Sequence, residues 1–248
     1  MELFAAFSPQ NYETWLNEAF KTAKTQDIEL LQTPTYEGIV LAPFYNQENQ
    51  QPIIEIPIKK NNQWLYFEYL YQNDFIALQT QIQEAFKKSA DGLLFESNVD
   101  NEVILKIIAN THFKNIEIKR TKNQLEKNFL TKIDTSFPWL KIIIEADNQN
   151  DFKECIELIS EYKNIHLRII EGNFWGNQGA NAVQSLAFGL SAWVETLDIF
   201  TEKMTPEKAI QRCSIGINIS ENYFMEMAKV RALRILCTKI IESYQSKY

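Results

Sequence analysis

From Trp64 onward, short apolar or aromatic runs alternate with longer stretches of helical periodicity. Each apolar run is bounded by polar or turn-forming residues, which is typical of strands. The six runs therefore predict six strands. A regular strand-then-helix order favours an α/β fold with a parallel sheet. The predicted strands are Trp64–Tyr69, Gly92–Glu96, Asn115–Lys119, Leu140–Glu145, His166–Glu171 and Cys213–Ile217.

The helical periodicity between these strands completes six strand-helix units. Runs such as Lys141-Ile-Ile-Ile-Glu145 lack clean alternation, as strands covered on both faces do. A doubly wound sheet and a TIM barrel both fit this pattern, and periodicity alone does not choose between them. The predicted helices are 74–89, 100–110, 121–132, 150–162, 180–202, 206–211 and a last one at 220–243.

The segment before Trp64 has a different character. Residues 8–25 predict an amphipathic helix, with Ser8 as its N-cap and Pro9 at its first position. Four prolines between residues 26 and 62 exclude a long helix there and predict an extended arm. We therefore expect two parts, an N-terminal helix and arm at 1–62 and an α/β domain at 63–248.

Charge and composition exclude several function classes. The net charge of −7 is spread in mixed-sign stretches without a basic stripe, which argues against nucleic acid as a partner. No apolar run reaches the length of about 18 residues that a membrane span requires, so we expect no membrane insertion. The cysteines have no CxxC spacing and predict reduced thiols in a cytoplasmic protein. They are Cys155, Cys213 and Cys237.

Two stretches resemble the methylmalonyl-CoA mutase family. Thr33-Pro-Thr-Tyr-Glu-Gly-Ile39, followed by Pro43-Phe-Tyr45, is similar to the arm that precedes the family's barrel. A second stretch begins at Gly179-Ala-Asn-Ala182 and resembles the family's long helix. Asn222 to Arg234 is similar to the family's N-F-F-M-E-x-A-K-x-R-A-x-R segment. The chain thus resembles the family's small, non-catalytic subunit over the arm and most of the barrel.

This resemblance implies a TIM (β/α)8-type barrel through which an acyl-CoA threads, with adenosylcobalamin presented by a separate flavodoxin-like domain. The cofactor carries the radical rearrangement that interconverts methylmalonyl-CoA and succinyl-CoA. The chain offers about six of the eight strands of such a barrel. We therefore expect an incomplete barrel that lacks the last two strands, in a fragment or a naturally short homologue.

The resemblance also predicts a silent chain. Catalytic chains carry a histidine before the glycine of the long helix, and Phe174 stands there, which cannot donate a hydrogen bond. They carry an arginine and a tyrosine on the first strand, where this chain has Phe67 and, as a weak remnant, Tyr69. Neither His112 nor His166 lies in the family's cobalt-binding Asp-x-His-x-x-Gly motif. We expect no catalytic residue, no bound cofactor and no metal in this chain.

Polar residues after the fifth predicted strand form the first of two candidate surfaces. They are either remnants of a ligand-binding barrel mouth or ordinary loop and helix-capping residues. The second surface lies on the last helix, whose cations either dock a partner chain or only solvate the helix. The first set comprises Asn173, Trp175, Asn177 and Gln178, and the second comprises Lys229, Arg231 and Arg234.

These observations predict a non-catalytic small subunit of an adenosylcobalamin-dependent methylmalonyl-CoA mutase. Its partner would be the catalytic large subunit, which would hold the cofactor in a cytoplasmic heterodimer. The barrel of the small subunit should be blocked by bulky side chains. Two alternatives stay open: a stand-alone barrel that binds or isomerises an acyl-CoA, and an unrelated α/β protein that matches by chance.

Overall fold

The computed structural model describes residues 10–46, 64–146 and 149–245. The chain divides into two compact units, residues 1–55 and residues 56–248. The predicted boundary between residues 62 and 63 lies outside the described residues, as do Ser8 and Pro9. That boundary therefore stays a prediction.

The first unit contains a helix and a short hairpin. Helix α1 (Tyr12–Ala23) is shorter than the predicted 8–25, because the side chain of Asn11 accepts a hydrogen bond from the Thr14 backbone N–H and caps it there. The arm includes a 3-10 turn (Ile28–Leu31). It continues in an antiparallel pair of two-residue strands, β1 (Thr33–Pro34) and β2 (Val40–Leu41). The predicted extended arm is thus partly folded.

The second unit is built on six parallel strands that follow each other in sequence order. All six predicted strands are present, with ends that differ by a few residues. They are β3 (Phe67–Leu70), β4 (Gly92–Phe95), β5 (Asn115–Arg120), β6 (Lys141–Ala146), β7 (Ile165–Ile169) and β8 (Cys213–Ile215).

The sequential strand order decides between the two folds that the sequence left open. When each new strand is added on the same side of the preceding one, right-handed crossovers place all the connecting helices on the same face of the sheet. A doubly wound sheet instead reverses its order at a switch point. The prediction of an α/β fold of the TIM type is confirmed in the form of a six-stranded parallel sheet consistent with part of such a barrel.

Helices pack against one face of this sheet and form the hydrophobic core with it. On β5, for example, Ile116 and Ile118 are buried on the core side, as are Leu167 and Ile169 on β7. The helices are α2 (Phe75–Lys87), α3 (Asn101–Ile108), α4 (Lys127–Ser136), α5 (Gln149–Glu161), α6 (Glu171–Asn177), α7 (Ala182–Thr201), α8 (Pro206–Gln211) and α9 (Tyr223–Gln245).

Two predicted segments need correction. The strand predicted to reach Glu171 ends at Ile169, and Glu171–Asn177 forms helix α6 where a polar loop was expected. The helix predicted at 121–132 begins only at Lys127, after a 3-10 turn at Lys122–Gln124. Within the described residues, no helix is long and apolar enough to cross a membrane.

The three cysteines, predicted to be reduced thiols, are not joined in a disulfide within the described part of the chain. Cys155 is buried in the core, and the other two are half-buried. Burial raises the pKa of the Cys213 thiol to about 12, so this side chain is a protonated, unreactive group at neutral pH.

Candidate functional site

The face of the sheet opposite the helix-packed core, here called the inner face, carries charged side chains. On β5 and β7 the residues alternate between buried apolar and half-buried polar ones, so that Glu117, Lys119, His166 and Arg168 all lie on the inner face. In a TIM barrel this face lines the interior. The inner face is therefore where a ligand threaded through the barrel would lie.

Three charged groups meet near the carboxyl ends of β4, β5 and β6. The ammonium of Lys119 lies 2.6 Å from a carboxylate oxygen of Glu145 and 3.4 Å from one of Glu96. These side chains are only 17–27% exposed. One cation thus holds two carboxylates together across three adjacent strands, at the end of the sheet where TIM-type active sites form.

The pKa shifts show how firmly this cluster is charged. Burial raises the pKa of Glu96, but hydrogen bonds from the N–H and hydroxyl of Ser97 and the charge of Lys119 outweigh it and leave this pKa below its ordinary value. Burial lowers the pKa of Lys119, but Glu145 and Glu96 together raise it above its ordinary value. Glu96 and Lys119 therefore stay ionised at neutral pH, and the ammonium of Lys119 is paired with both carboxylates.

A second ion pair lies on the same face. The guanidinium of Arg168 on β7 is 2.6 Å from the carboxylate of Glu117 on β5 and spans β6, the strand between them. Ile143 on β6 also lies on the inner face and is 2% exposed. Long, paired side chains thus occupy the inner face of the three central strands. This cluster is not among the residues predicted from the sequence, although the alternation of charged and apolar residues on β5 and β7 indicates it.

Phe67 and Tyr69 lie on the inner face of β3. Phe67 begins the strand and packs over Gly92 of β4, where a Cβ atom would come within 2.6 Å of the phenyl ring. Tyr69 is 44% exposed, and its ring centroid lies 6.4 Å from that of Tyr71. The position expected to hold a cation in a catalytic chain is thus filled by an aromatic ring packed on the neighbouring strand.

Phe174 lies on α6, which directly follows β7 at the carboxyl end of the sheet. Its ring is 50% exposed and makes an edge contact with Trp175, at 5.1 Å between centroids. Trp175 contacts Phe188 of α7 in turn, at 5.5 Å. These three rings form an aromatic cluster on α6 and α7.

The other predicted mouth residues also belong to α6 and its C-terminus. The side-chain amide of Asn177 donates to the side-chain oxygen of Asn173 at 3.5 Å, one helical turn away. Gln178 ends the helix, and its backbone N–H donates to carbonyls of the last turn. These residues lie at the predicted mouth, on a helix in place of the expected loop. Whether they bind a ligand stays a prediction.

Lys229, predicted as part of a partner surface, is buried inside the chain. Its ammonium lies 2.6 Å from the carboxylate of Glu226 and donates to the backbone carbonyl of Asn218 at 2.8 Å. The hydroxyl of Ser220 donates to the other oxygen of Glu226 at 2.7 Å. Burial raises the pKa of Glu226, but the bonds from Lys229 and Ser220 outweigh it and hold this pKa below its ordinary value.

This buried ion pair fixes the loop that follows β8. Asn218 of that loop lies against Gly176 of α6, where a Cβ atom would collide with the Asn218 side-chain oxygen. Lys229 is therefore a structural group of the barrel mouth. Arg231 and Arg234 lie on the exposed side of α9, so a partner surface on α9 rests on these two cations alone.

Arg120, next to Lys119 on β5, points to the opposite, helix-packed side of the sheet. It is 1% exposed, and its guanidinium donates to the carbonyls of Glu96, Lys119 and Val99 and to the side-chain oxygen of Asn101. Burial lowers its pKa to about 10, which leaves it charged at neutral pH. The loop after β4 is thus held by Lys119 on one face and by Arg120 on the other.

The two histidines lie away from the mouth. His112 is exposed in the segment before β5, and His166 is half-buried at the start of β7. Burial, together with the charges of Arg212 and Lys141, lowers the pKa of His166 to about 4. A hydrogen bond with the Gln211 backbone acts in the opposite direction but does not outweigh them. His166 is therefore neutral at physiological pH. Among the described residues, no group of three histidine, cysteine or acidic side chains is arranged to hold a metal ion.

The lowered pKa of His166 predicts acid sensitivity. Because an unfolded imidazole has a pKa of about 6.5, the unfolded state binds more protons than the folded state between about pH 4 and pH 6.5. The free energy of unfolding should therefore fall as pH is lowered through this window. Replacing His166 by glutamine should reduce that fall by on the order of 2 kcal/mol. Urea unfolding between these pH values measures this change, and His112→Gln serves as the comparison for the loss of an imidazole elsewhere in the chain. Equal slopes for His166→Gln and the unmodified chain would disprove the assignment.

Comparison with known proteins places this geometry in context. The family model for methylmalonyl-CoA mutase matches residues 143–248. The whole chain is 26% identical over 286 aligned positions to the methylmalonyl-CoA mutase small subunit of Porphyromonas gingivalis (strain ATCC BAA-308 / W83). The alignment covers 100% of this chain and 46% of that protein, so the chain spans about half the length of its relative. The predicted resemblance to this family is confirmed.

Proposed function

From the relationship of this chain to the methylmalonyl-CoA mutase family, we propose that it acts as the non-catalytic small subunit of an adenosylcobalamin-dependent methylmalonyl-CoA mutase. Its role is to support a catalytic large subunit, which interconverts methylmalonyl-CoA and succinyl-CoA. The P. gingivalis relative is itself named a small subunit and aligns with the whole of this chain. The coarser conclusion, a mutase-related protein, follows from the comparisons alone.

The observation that carries the proposal is the occupied inner face. A substrate that threads through a barrel needs space along the interior, and the inner face here holds two sets of salt-bridged side chains. Displacing Lys119 or Arg168 would separate partly buried charges from their partners, which is strongly unfavourable without replacement partners. The inner face therefore suits a filled, supporting barrel better than a substrate channel.

The mouth of the sheet supports the same conclusion. Where the family's catalytic chains offer a histidine and an arginine to the substrate, this chain has Phe174 and Phe67. A phenyl ring neither donates a hydrogen bond nor stabilises a developing negative charge. Tyr69 keeps its hydroxyl but lies beside Phe67 on the same strand, without the expected cation.

The cofactor of the family does not fit the residues of this chain. Neither histidine lies at the carboxyl end of the sheet, where a cobalt centre would face the barrel, and His166 is surrounded by Arg212 and Lys141. Adenosylcobalamin, which would supply the radical chemistry, is therefore assigned to the partner. No step of the reaction is assigned to this chain.

Binding of the substrate to the isolated chain tests this proposal. Isothermal titration calorimetry with methylmalonyl-CoA should detect no binding to this chain, while the cobalamin-binding mutase chain from the same source serves as the positive control. Binding to this chain that is lost in Tyr69→Phe would contradict the proposal. It would favour the second hypothesis, a stand-alone acyl-CoA-binding barrel, because Tyr69 is the one inner-face hydroxyl that the resemblance connects with substrate.

A further inference from the structure

A cavity of about 420 Å³ lies between α2, α3 and the segment that leads into β5. Its size falls within the range of small-molecule pockets, roughly 300–1,000 Å³. Because helices run antiparallel to the strands of such a sheet, the carboxyl ends of α2 and α3 lie at the amino end of the strands. The cavity extends from this end along α2 as far as Phe75, the first residue of that helix. It lies on the helix-packed side of the sheet and does not belong to the inner-face site described above.

The walls of this cavity are apolar and aromatic. They are formed by Phe75, Ile82, Ile107 and Phe113, and by Phe86, whose ring makes an edge contact with Phe113 at 6.4 Å between centroids. Phe86 is 70% exposed. An exposed aromatic ring beside an apolar cavity stands in water unless a ligand covers it, so these walls favour a ligand with a hydrophobic body.

The ionisable groups that line the cavity are all potential cations. Lys87 is the last residue of α2, Lys106 lies in the last turn of α3, and His112 follows nearby. No aspartate or glutamate is among the lining residues. In a chain whose net charge is −7, this arrangement singles out an anionic group for the ligand's polar end.

We propose that this cavity binds a medium-chain carboxylate. The alkyl chain lies against Phe75, Ile82 and Phe113, and the carboxylate lies at the rim, within reach of the flexible side chains of Lys87 and Lys106. An amphipathic monoanion can both cover the apolar walls and pair with the lysines. An uncharged hydrocarbon would leave the lysines without an anion, and a small inorganic anion would leave the apolar walls exposed to water. This inference is independent of the proposed subunit role.

Calorimetric titration of the full chain with octanoate and with 1-octanol tests the charge requirement. Octanoate should bind with a Kd below about 1 mM, and octanol at least about tenfold more weakly. Absence of octanoate binding, or equal affinity for the alcohol, would overturn the proposal.

Substitutions of cavity residues test whether octanoate binds in this cavity. Gln79→Trp places a bulky ring into the cavity from an exposed position and should weaken octanoate binding at least about tenfold. Lys87→Gln combined with Lys106→Gln should weaken it about tenfold, the size expected for two partly exposed ion pairs, without changing octanol binding. The control, Lys132→Gln with Lys163→Gln, removes two exposed lysines elsewhere and should leave the affinity unchanged. Octanoate binding that is insensitive to both cavity variants would place the ligand elsewhere and disprove the site.

Discussion

Replacing Lys229 by methionine should lower the free energy of unfolding by about 3–5 kcal/mol, the effect of removing one partner from a buried ion pair. Lys229 is 4% exposed, and without its ammonium the buried carboxylate of Glu226 would keep only the hydroxyl and the backbone N–H of Ser220 as partners. The carbonyl of Asn218 would also lose its donor. Urea unfolding at neutral pH, monitored by circular dichroism, measures the change.

Two variants control this prediction. Arg231→Met removes an exposed cation from the same helix and should change stability by less than about 0.5 kcal/mol. Adding Glu226→Gln to Lys229→Met removes the unpaired charge and should restore part of the loss, because the uncompensated carboxylate is its main cause. A loss for Lys229→Met no larger than that for Arg231→Met would show that Lys229 is not the buried structural group described above.

Replacing Arg120 by methionine should lower the free energy of unfolding by about 3 kcal/mol, because buried acceptors left without donors each cost about 1–3 kcal/mol. Methionine keeps the length and apolar stem of the side chain but donates no hydrogen bond. The carbonyl of Val99 and the side-chain oxygen of Asn101 would lose the bonds that the guanidinium donates, and the carbonyl of Glu96 would keep only the Val99 N–H. The guanidinium also lies 5.8 Å above the ring of Phe129, a cation–π contact that methionine would lose.

Hydrogen exchange distinguishes this local effect from general weakening. Loss of Arg120 should raise the exchange rate most in the loop at residues 96–101, because Lys119 then holds it from one face only. Arg231→Met serves again as the control for the removal of an arginine. A uniform increase in exchange across the sheet, with no preference for residues 96–101, would contradict the assigned role.

Much of the sheet could be predicted from the sequence because its strands are strongly apolar and regularly spaced. Ile142 to Ile144 are buried whichever way the strand is assigned, so β6 was found within a residue of its observed bounds. The sheet topology could not be derived in this way, because strand order depends on crossovers and the local pattern is the same in a barrel and in a doubly wound sheet. Only the resemblance to the mutase family favoured the barrel.

Helix α6 was missed for a physical reason. Its sequence, Glu-Gly-Asn-Phe-Trp-Gly-Asn, is rich in residues with low intrinsic helix propensity, and it therefore resembled a loop. Tertiary packing overrides that propensity. Gly172 and Gly189 allow α6 and α7 to approach closely, with a Cβ on Gly189 coming within 3.3 Å of the Gly172 backbone, and the hydroxyl of Ser185 donates to the Gly172 carbonyl at 2.6 Å.

The charged inner face could be predicted only in part. The alternation on β5 indicates a polar second face, yet the partners of Glu117 and Lys119 lie on other strands. Glu117 pairs with Arg168, which is 51 residues away, and Lys119 pairs with Glu145 of the neighbouring strand. These pairings follow from the register between strands, which no local pattern reveals. The burial of Lys229 could not be predicted either. Helical spacing shows that the three cations of α9 do not share one face, but the contact of Lys229 with the loop after β8 is a tertiary contact that this spacing does not reveal.

Together, the occupied inner face, the missing hydrogen-bond donors and the resemblance to a small subunit are the grounds for our proposal that this chain supports catalysis by another chain. This account requires that activity depend on a partner. It also requires a stable complex between the two chains. Arg231 and Arg234, exposed on α9, are our proposed contribution to that contact.

Co-expression with the cobalamin-binding mutase chain from the same source tests this central claim most directly. Co-purification and methylmalonyl-CoA turnover should be measured for each chain alone and for the two together, with adenosylcobalamin added in every case. The account predicts a stable complex, turnover whenever the cobalamin-binding chain is present, and none from this chain alone. Turnover by this chain alone that depends on adenosylcobalamin would contradict it.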